Sequence, residues 1–295
     1  MAICQAINKS NWNNCNFKAT NGKYCNKHKD YFSTDKYGTN GLTITLGNQA
    51  ENHVGMQIIG KPCMNGYTLS DFNTIIADLT KKGIITKLYD LRTGLQGLSE
   101  YLTSTEAYLL VIKNGVTHLL KGTNKTEEDL YQEHINLKWD THALMKGSVK
   151  NKKARYNLCY SEESQEPDYA SGKGRIVAFG ELPLLNTIRQ RLPEFFGEKA
   201  NELVAESNLY YNINYNGIGF HGDTERRIVI AIRAGNEFPF RYQWYLNSEA
   251  IGTHIDVKLQ AGDIYIMSEK AVGSDWKTRK IPTLRHAAGC DDYIK

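Results

Sequence analysis

His221, Asp223 and His286 are the residues of this sequence whose types and spacing carry the most chemistry. His221-Gly222-Asp223 reads as the end of a strand, where alternate side chains share a face. The histidine and the carboxylate can therefore address one metal ion together. A third ligand must come from elsewhere in the chain. His286, in Thr283-Leu284-Arg285-His286-Ala287-Ala288-Gly289, lies on a late strand ahead of a small-residue turn. Two imidazoles and one carboxylate make the facial set of non-haem iron(II) centres, with three positions open for a bidentate co-substrate and dioxygen. His254, in Gly252-Thr253-His254-Ile255, competes for the third place but is followed by no such turn, so His286 is preferred.

A second ligand set stands at the N-terminus. Cys4-x10-Cys15-x9-Cys25-x2-His28 offers three thiolates and one imidazole, which suit tetrahedral zinc(II). So short a segment has little core, and metal ligation would supply folding energy on the order of 10 kcal/mol. The first residues, Met1-Ala2-Ile3-Cys4-Gln5, lack the pattern of a secretory signal. The cysteines are thus read as metal ligands rather than disulfides, and the expected location is intracellular, cytoplasmic or nuclear, not secreted.

These ligands need a scaffold. A chain of 295 residues predicts roughly two domains. Hydrophobic residues at 41% and charged residues at 23% fit a globular protein and exclude global disorder. No run of about 18 apolar residues is present, so no membrane-spanning helix is expected. A net charge of +4 permits a nucleic-acid partner without requiring one. Nothing in the pattern fixes an oligomeric state.

The chain divides into residues 1–42, a zinc module and linker; 43–145, an α+β region; and 146–295, a β-rich domain. In the middle region Thr68 or Ser70 caps a helix with Phe72, Ile75, Ile76 and Leu79 on one face, ended by Lys81, Lys82 and Gly83. Asn114-Gly115 predicts a tight hairpin between two apolar strands, and residues 126–135 a short helix. His53, His118, His134 and His142 are read as structural. Lys146, Lys150, Lys152, Lys153 and Arg155 form a basic run that could track phosphates, with Tyr156 and Tyr160 beside it for stacking. Residues 183–206 read as helical in two pieces around Pro193. From residue 208 the runs NLYYNI, GIGFHGD, RIVIAIRAG, FPFRYQWYL, THIDVKL, GDIYIM and TLRHAAG predict a sandwich or jelly roll.

Asn208-Leu209-Tyr210, Gly217-Ile218-Gly219-Phe220-His221-Gly222-Asp223 and Gly262-Asp263-Ile264-Tyr265-Ile266-Met267 together resemble the AlkB-like branch of the 2-oxoglutarate- and iron(II)-dependent dioxygenases. The resemblance covers about residues 155–290 and is most specific over 208–223. It implies an α+β protein whose C-terminal double-stranded β-helix, a jelly roll, is flanked by helices. It implies that Asn208 and Tyr210 contact 2-oxoglutarate and that His221, Asp223 and His286 hold iron(II). The activity implied is oxidative decarboxylation of the 2-oxo acid to succinate and carbon dioxide, coupled to hydroxylation of a substrate C–H bond.

One departure from the family pattern matters. The family's arginine for the far carboxylate of 2-oxoglutarate follows the distal histidine on a later strand, and only nine residues follow His286 here. Another basic residue must serve. Arg233, set in the apolar run Ile228–Ile232, is the first choice and Arg285 the second, with Arg226, Arg227, Arg241 and Lys295 behind them. The expected function is hydroxylation or oxidative demethylation of a DNA or RNA base. The alternatives are a prolyl or lysyl side-chain hydroxylase and a non-catalytic, zinc-dependent nucleic-acid-binding protein.

Overall fold

The computed structural model describes residue 18 and residues 37–295. Cys4, Cys15, Cys25 and His28 lie outside the described residues.

The described part of the chain is α+β and mostly strands. Its first half runs β1 (Gly41–Gly47), β2 (Gln49–Glu51), β3 (Ile58–Gly60), β4 (Thr86–Asp90), β5 (Tyr108–Ile112), β6 (His142–Met145), β7 (Ser148–Asn151), β8 (Tyr156–Ser161) and β9 (Ile176–Ala178). Its second half runs β10 (Val204–Tyr210), β11 (Gly217–His221), β12 (Ile230–Gly235), β13 (Phe240–Leu246), β14 (Glu249–Val257), β15 (Ile264–Met267) and β16 (Thr283–Gly289). Eight strands form one large sheet in the order β4-β5-β15-β12-β1-β10-β8-β9, antiparallel except for the β8–β9 pair. Four form a smaller sheet, β11-β16-β13-β14. From β10 onward the chain crosses repeatedly between the two. Val229, Ala231 and Tyr265 of the large-sheet side share one core with Phe240, Tyr242, Trp244 and Leu284 of the small sheet.

β1 is the strand that sequence reading missed. Gly41-Leu42-Thr43-Ile44-Thr45-Leu46-Gly47 alternates cleanly, and its partners are β10 on one side and β12 on the other. Leu42, Ile44 and Leu46 are fully buried, each worth about 1.5–3 kcal/mol. Thr43 and Thr45 face the opposite side, toward the cavity described below. Gly41 and Leu42 are therefore strand, not linker. Nor is residue 145 a boundary, because β1, β4 and β5 belong to the same sheet as β10, β12 and β15; residues 40–295 form one unit.

The helix Leu69–Lys81 forms where expected, with a Thr68–Asp71 capping box and Phe72, Ile75 and Leu79 buried. The helix Glu127–Ile135 likewise opens on a capping box from Thr126 and lies against β12. The helix Pro183–Phe196 runs through Pro193 instead of stopping before it, burying Leu185, Ile188, Leu192 and Phe196 along one face. Its expected second piece is only a single turn, Glu198–Ala200, before β10 starts at Val204.

The hairpin expected at Asn114-Gly115 does not form. Both edges of β5 are already occupied, by β4 and β15, so the following residues have no edge to pair with. Asn114 takes a left-handed conformation, φ 51°, and the chain enters the short helix Gly115–Leu119. The buried Asp263 carboxylate accepts from the Asn114 N–H at 3.0 Å and pairs with Lys113, fixing the turn.

Candidate active site

β11 and β16 lie side by side, and His221 sits directly opposite His286. Residues opposite one another in a ladder point the same way, so the two rings meet, with centroids 4.4 Å apart. Asp223 follows two residues after His221. Its Oδ1 lies 3.6 Å from Nε2 of His221 and 3.7 Å from Nε2 of His286. Cis donors at ~2.1 Å from a metal stand roughly 3 Å apart, so a small contraction closes this set around one ion. The His221 Nδ1–H donates to the Gly219 carbonyl at 2.8 Å, which leaves Nε2 as the ligand atom. Burial holds both imidazoles below their usual pKa, His286 well below, assisted there by the charges of His221 and Arg226. Both therefore offer lone pairs at neutral pH. His254 is exposed on the edge strand β14, near Asp256, and takes no part.

The triad opens on a cavity of about 850 Å³ between the sheets. Asn208, Thr43 and Arg233 form one row across three adjacent strands of its floor, because Thr43 pairs with Asn208 on β10 and with Arg233 on β12. Tyr210, the other expected co-substrate contact, also lines the cavity. Asn208 is held by its oxygen, which accepts from Arg155 Nε at 2.7 Å and Asn157 Nδ2 at 2.5 Å. Its own amide N–H groups remain available to a ligand.

Arg233 is buried, 5% exposed, with its guanidinium 3.9 Å from the Phe238 ring centroid. Its Nε and Nη1 have no hydrogen-bond partner, and no carboxylate among the described residues pairs with it. Burial pushes its pKa down. A buried guanidinium that faces a cavity without a carboxylate partner has the chemistry to receive an anion. Arg285 points elsewhere, stacking on Tyr245 at 3.9 Å and Trp276 at 5.1 Å, and does not line the cavity. Arg227 pairs with Glu269, Arg241 with Asp256 and Lys295 with Asp292.

Several cavity residues escaped sequence reading. Thr43 and Thr45 come from β1, whose alternating pattern was the available signal. Glu51, His53, Val54 and Ile58 come from the β2–β3 hairpin, and Glu206 from β10, two residues before Asn208. His53, expected to be structural, is among the residues lining the cavity. Arg226 also lines the cavity, and is clamped by Glu206 and Glu225.

The basic run divides in use. Lys152 is buried, its Nζ donating to Asn52 Oδ1 at 2.7 Å and Asn157 Oδ1 at 2.9 Å, so it is no phosphate contact. Tyr160 is fully buried as well, whereas Tyr156 stacks on Tyr211 with centroids 4.5 Å apart. Arg155, Trp276 and Lys277 line the cavity. No helix among the described residues is long and apolar enough to cross a membrane.

No family model matches the chain. An uncharacterized protein of Acanthamoeba polyphaga mimivirus is 47% identical to it over 256 residues, which are 86% of this chain and 97% of the viral protein. The present chain belongs to the same family as that viral protein.

Proposed function

We propose that the protein is a 2-oxoglutarate- and iron(II)-dependent dioxygenase that hydroxylates or oxidatively demethylates a nucleic-acid base. One observation carries the reading: a His221–Asp223–His286 donor set opens on the same cavity as a buried guanidinium, Arg233, that lacks a carboxylate partner. A facial metal site explains the first feature, and a dicarboxylate that chelates the metal at one end explains the second. The large and small sheets would then be the two halves of a double-stranded β-helix, with β1 filling the large-sheet place between β10 and β12.

When bound, iron(II) would supply dioxygen activation and the 2-oxo acid the reducing electrons. The chain's own residues do the rest. His221 Nε2, Asp223 Oδ1 and His286 Nε2 hold the ion. Arg233, with Thr43 and Asn208 in the same row, binds the far carboxylate and orients the acid. Phe240, Met267 and Ala288 line the cavity with apolar surface that excludes water. Arg155, Lys277 and Trp276 give it cationic and aromatic surface suited to an extruded base on a single strand. The Cys4, Cys15, Cys25 and His28 set is proposed to bind zinc(II) independently of this site.

A lysyl side-chain substrate is the second reading. Glu51, Glu206 and Glu225 line the cavity; Arg226 engages the latter two, and Glu51, once deprotonated, would receive an ammonium group. The deciding experiment is an anaerobic titration of iron(II) and 2-oxoglutarate, watching for the visible charge-transfer band of the chelate. The band should form in wild type and His254→Ala and be lost in His286→Ala. Its absence from folded wild type would favour a non-catalytic binder. Where the band forms, turnover on modified oligonucleotides against lysyl peptides separates the two substrates.

A further inference from the structure

The two oxygens of Asp223 face different groups. Oδ1 is the atom shared with His221 and His286, at 3.6 and 3.7 Å. Oδ2 instead faces Nε of Arg226 at 3.6 Å. Arg226 is only 3% exposed, and it is not free to turn. Its Nη2 pairs with Glu206 Oε2 at 2.8 Å and with Glu225 Oε1 at 2.5 Å, and its Nε also donates to Glu225 Oε1 at 2.7 Å. Glu206 belongs to β10 of the large sheet. A buried ion-pair chain thus runs from the large sheet through Arg226 to the metal-ligand carboxylate.

This arrangement bears on coordination number. A carboxylate bound through both oxygens occupies two positions on a metal, which leaves too few for a chelating 2-oxo acid and dioxygen together. A carboxylate bound through one oxygen leaves three. We propose that Arg226 is a positioning residue that keeps Asp223 monodentate, holding Oδ2 away from the metal while Glu206 and Glu225 hold Arg226 in place. The inference rests on the metal-dependent reading above. The single Nε–H of Arg226 is given to Glu225, so Arg226 acts on Asp223 Oδ2 through its charge at 3.6 Å and not through a hydrogen bond.

The test compares full-length wild type, Arg226→Lys, Arg226→Met and the double variant Arg226→Met/Glu206→Gln, which removes one of the two glutamate charges stranded by the single change. Each is loaded anaerobically with iron(II), and separately with cobalt(II) as a spectroscopic probe. Outer-shell changes of this kind typically cost about 10–100-fold. The Met-containing variants should still bind cobalt(II), with a spectrum of higher coordination by protein. Their half-saturation for the 2-oxoglutarate chelate band should rise at least about tenfold. Arg226→Lys, which retains the positive charge, should recover part of the band. An unchanged cobalt spectrum and chelate affinity in the folded double variant would reduce Arg226 to a structural ion pair. A wild type without any chelate band would sink the dioxygenase reading itself, while the cobalt(II) spectra of wild type and the double variant still decide the part of Arg226.

Discussion

Thr43 and Arg233 face each other across the β1–β12 ladder, so a strand near the start of the described chain and a strand near its end jointly build one floor of the cavity. The pairing brings a hydroxyl with no hydrogen-bond partner beside a guanidinium with two unpartnered nitrogens. Buried polar atoms of this kind call for a partner, which a water or a ligand in the cavity would supply.

The first prediction follows from that cost. Arg233→Met should weaken 2-oxoglutarate binding by about 10–100-fold, the range for a lost hydrogen bond to a charged group. The same change should leave the ligand-free protein as stable as wild type or more so by about 1–4 kcal/mol, because it replaces a buried charge lacking an ionic partner with an apolar chain of similar length. Calorimetric titration measures the first and urea unfolding the second. Loss of stability with unchanged affinity would make Arg233 a structural residue.

The strands from β10 to β16 were legible because their alternation and turn residues are local. His286 was preferred to His254 for the same reason, and the register places it opposite His221. β1 was not legible as part of the site. Its seven residues alternate, but its partners lie far along the chain, and nothing local says that β10 and β12 leave a gap between them. Asn114-Gly115 carried a true turn signal whose outcome depended on the occupied edges of β5. Lys152 looked like one of five surface cations, and only Asn52 and Asn157 from other segments show why it is inside.

The second prediction concerns Asp140, which is fully buried and accepts from Asn52 Nδ2 at 2.9 Å, the Tyr169 hydroxyl at 2.6 Å and the Arg175 N–H at 2.6 Å. Asn52 also receives Lys152, which reaches Asn157 and through it Asn208. Asp140→Ala orphans three donors and leaves the buried lysine without its nearby negative charge. A loss of about 3–5 kcal/mol is expected in urea unfolding. A loss under about 1 kcal/mol would mean that water replaces the carboxylate at little cost.

The third prediction is a pH slope. Burial, with repulsion from Glu225 and Glu206, raises the Glu51 pKa from 4.5 to about 7. Between these values the folded state holds a proton that the unfolded state has lost. Stability therefore falls as pH rises through this window, and the loss is complete above about 7. Glu51→Gln cannot lose that proton. The variant should gain on wild type steadily from pH 5 to pH 7.5 when both are unfolded in urea, whereas a pH-independent difference would place Glu51 in ordinary solvent. His53 titrates in part of the same range, but it is present in both proteins and cancels in the comparison.

The last prediction addresses the residue between two ligands. Gly222 separates His221 from Asp223, and a Cβ there would overlap the carbonyl oxygen of Gly273. Gly273 has φ +73° and closes the helix Glu269–Val272. The Asp223 N–H donates to the Val272 carbonyl at 3.0 Å, so the ligand turn and this helix end touch backbone to backbone. No flexible side chain is available to yield. Gly222→Ala must push the two segments apart, and Asp223 moves with its segment. Overpacking of this kind costs about 1–3 kcal/mol, and metal affinity measured with cobalt(II) should fall at least about tenfold, as for other displaced ligand geometry. Gly180→Ala, at a site where a Cβ meets nothing within 4 Å, is the matching control. Wild-type cobalt affinity in Gly222→Ala would show that the helix end gives way instead, and that the close approach of Gly222 and Gly273 is packing without a part in holding Asp223.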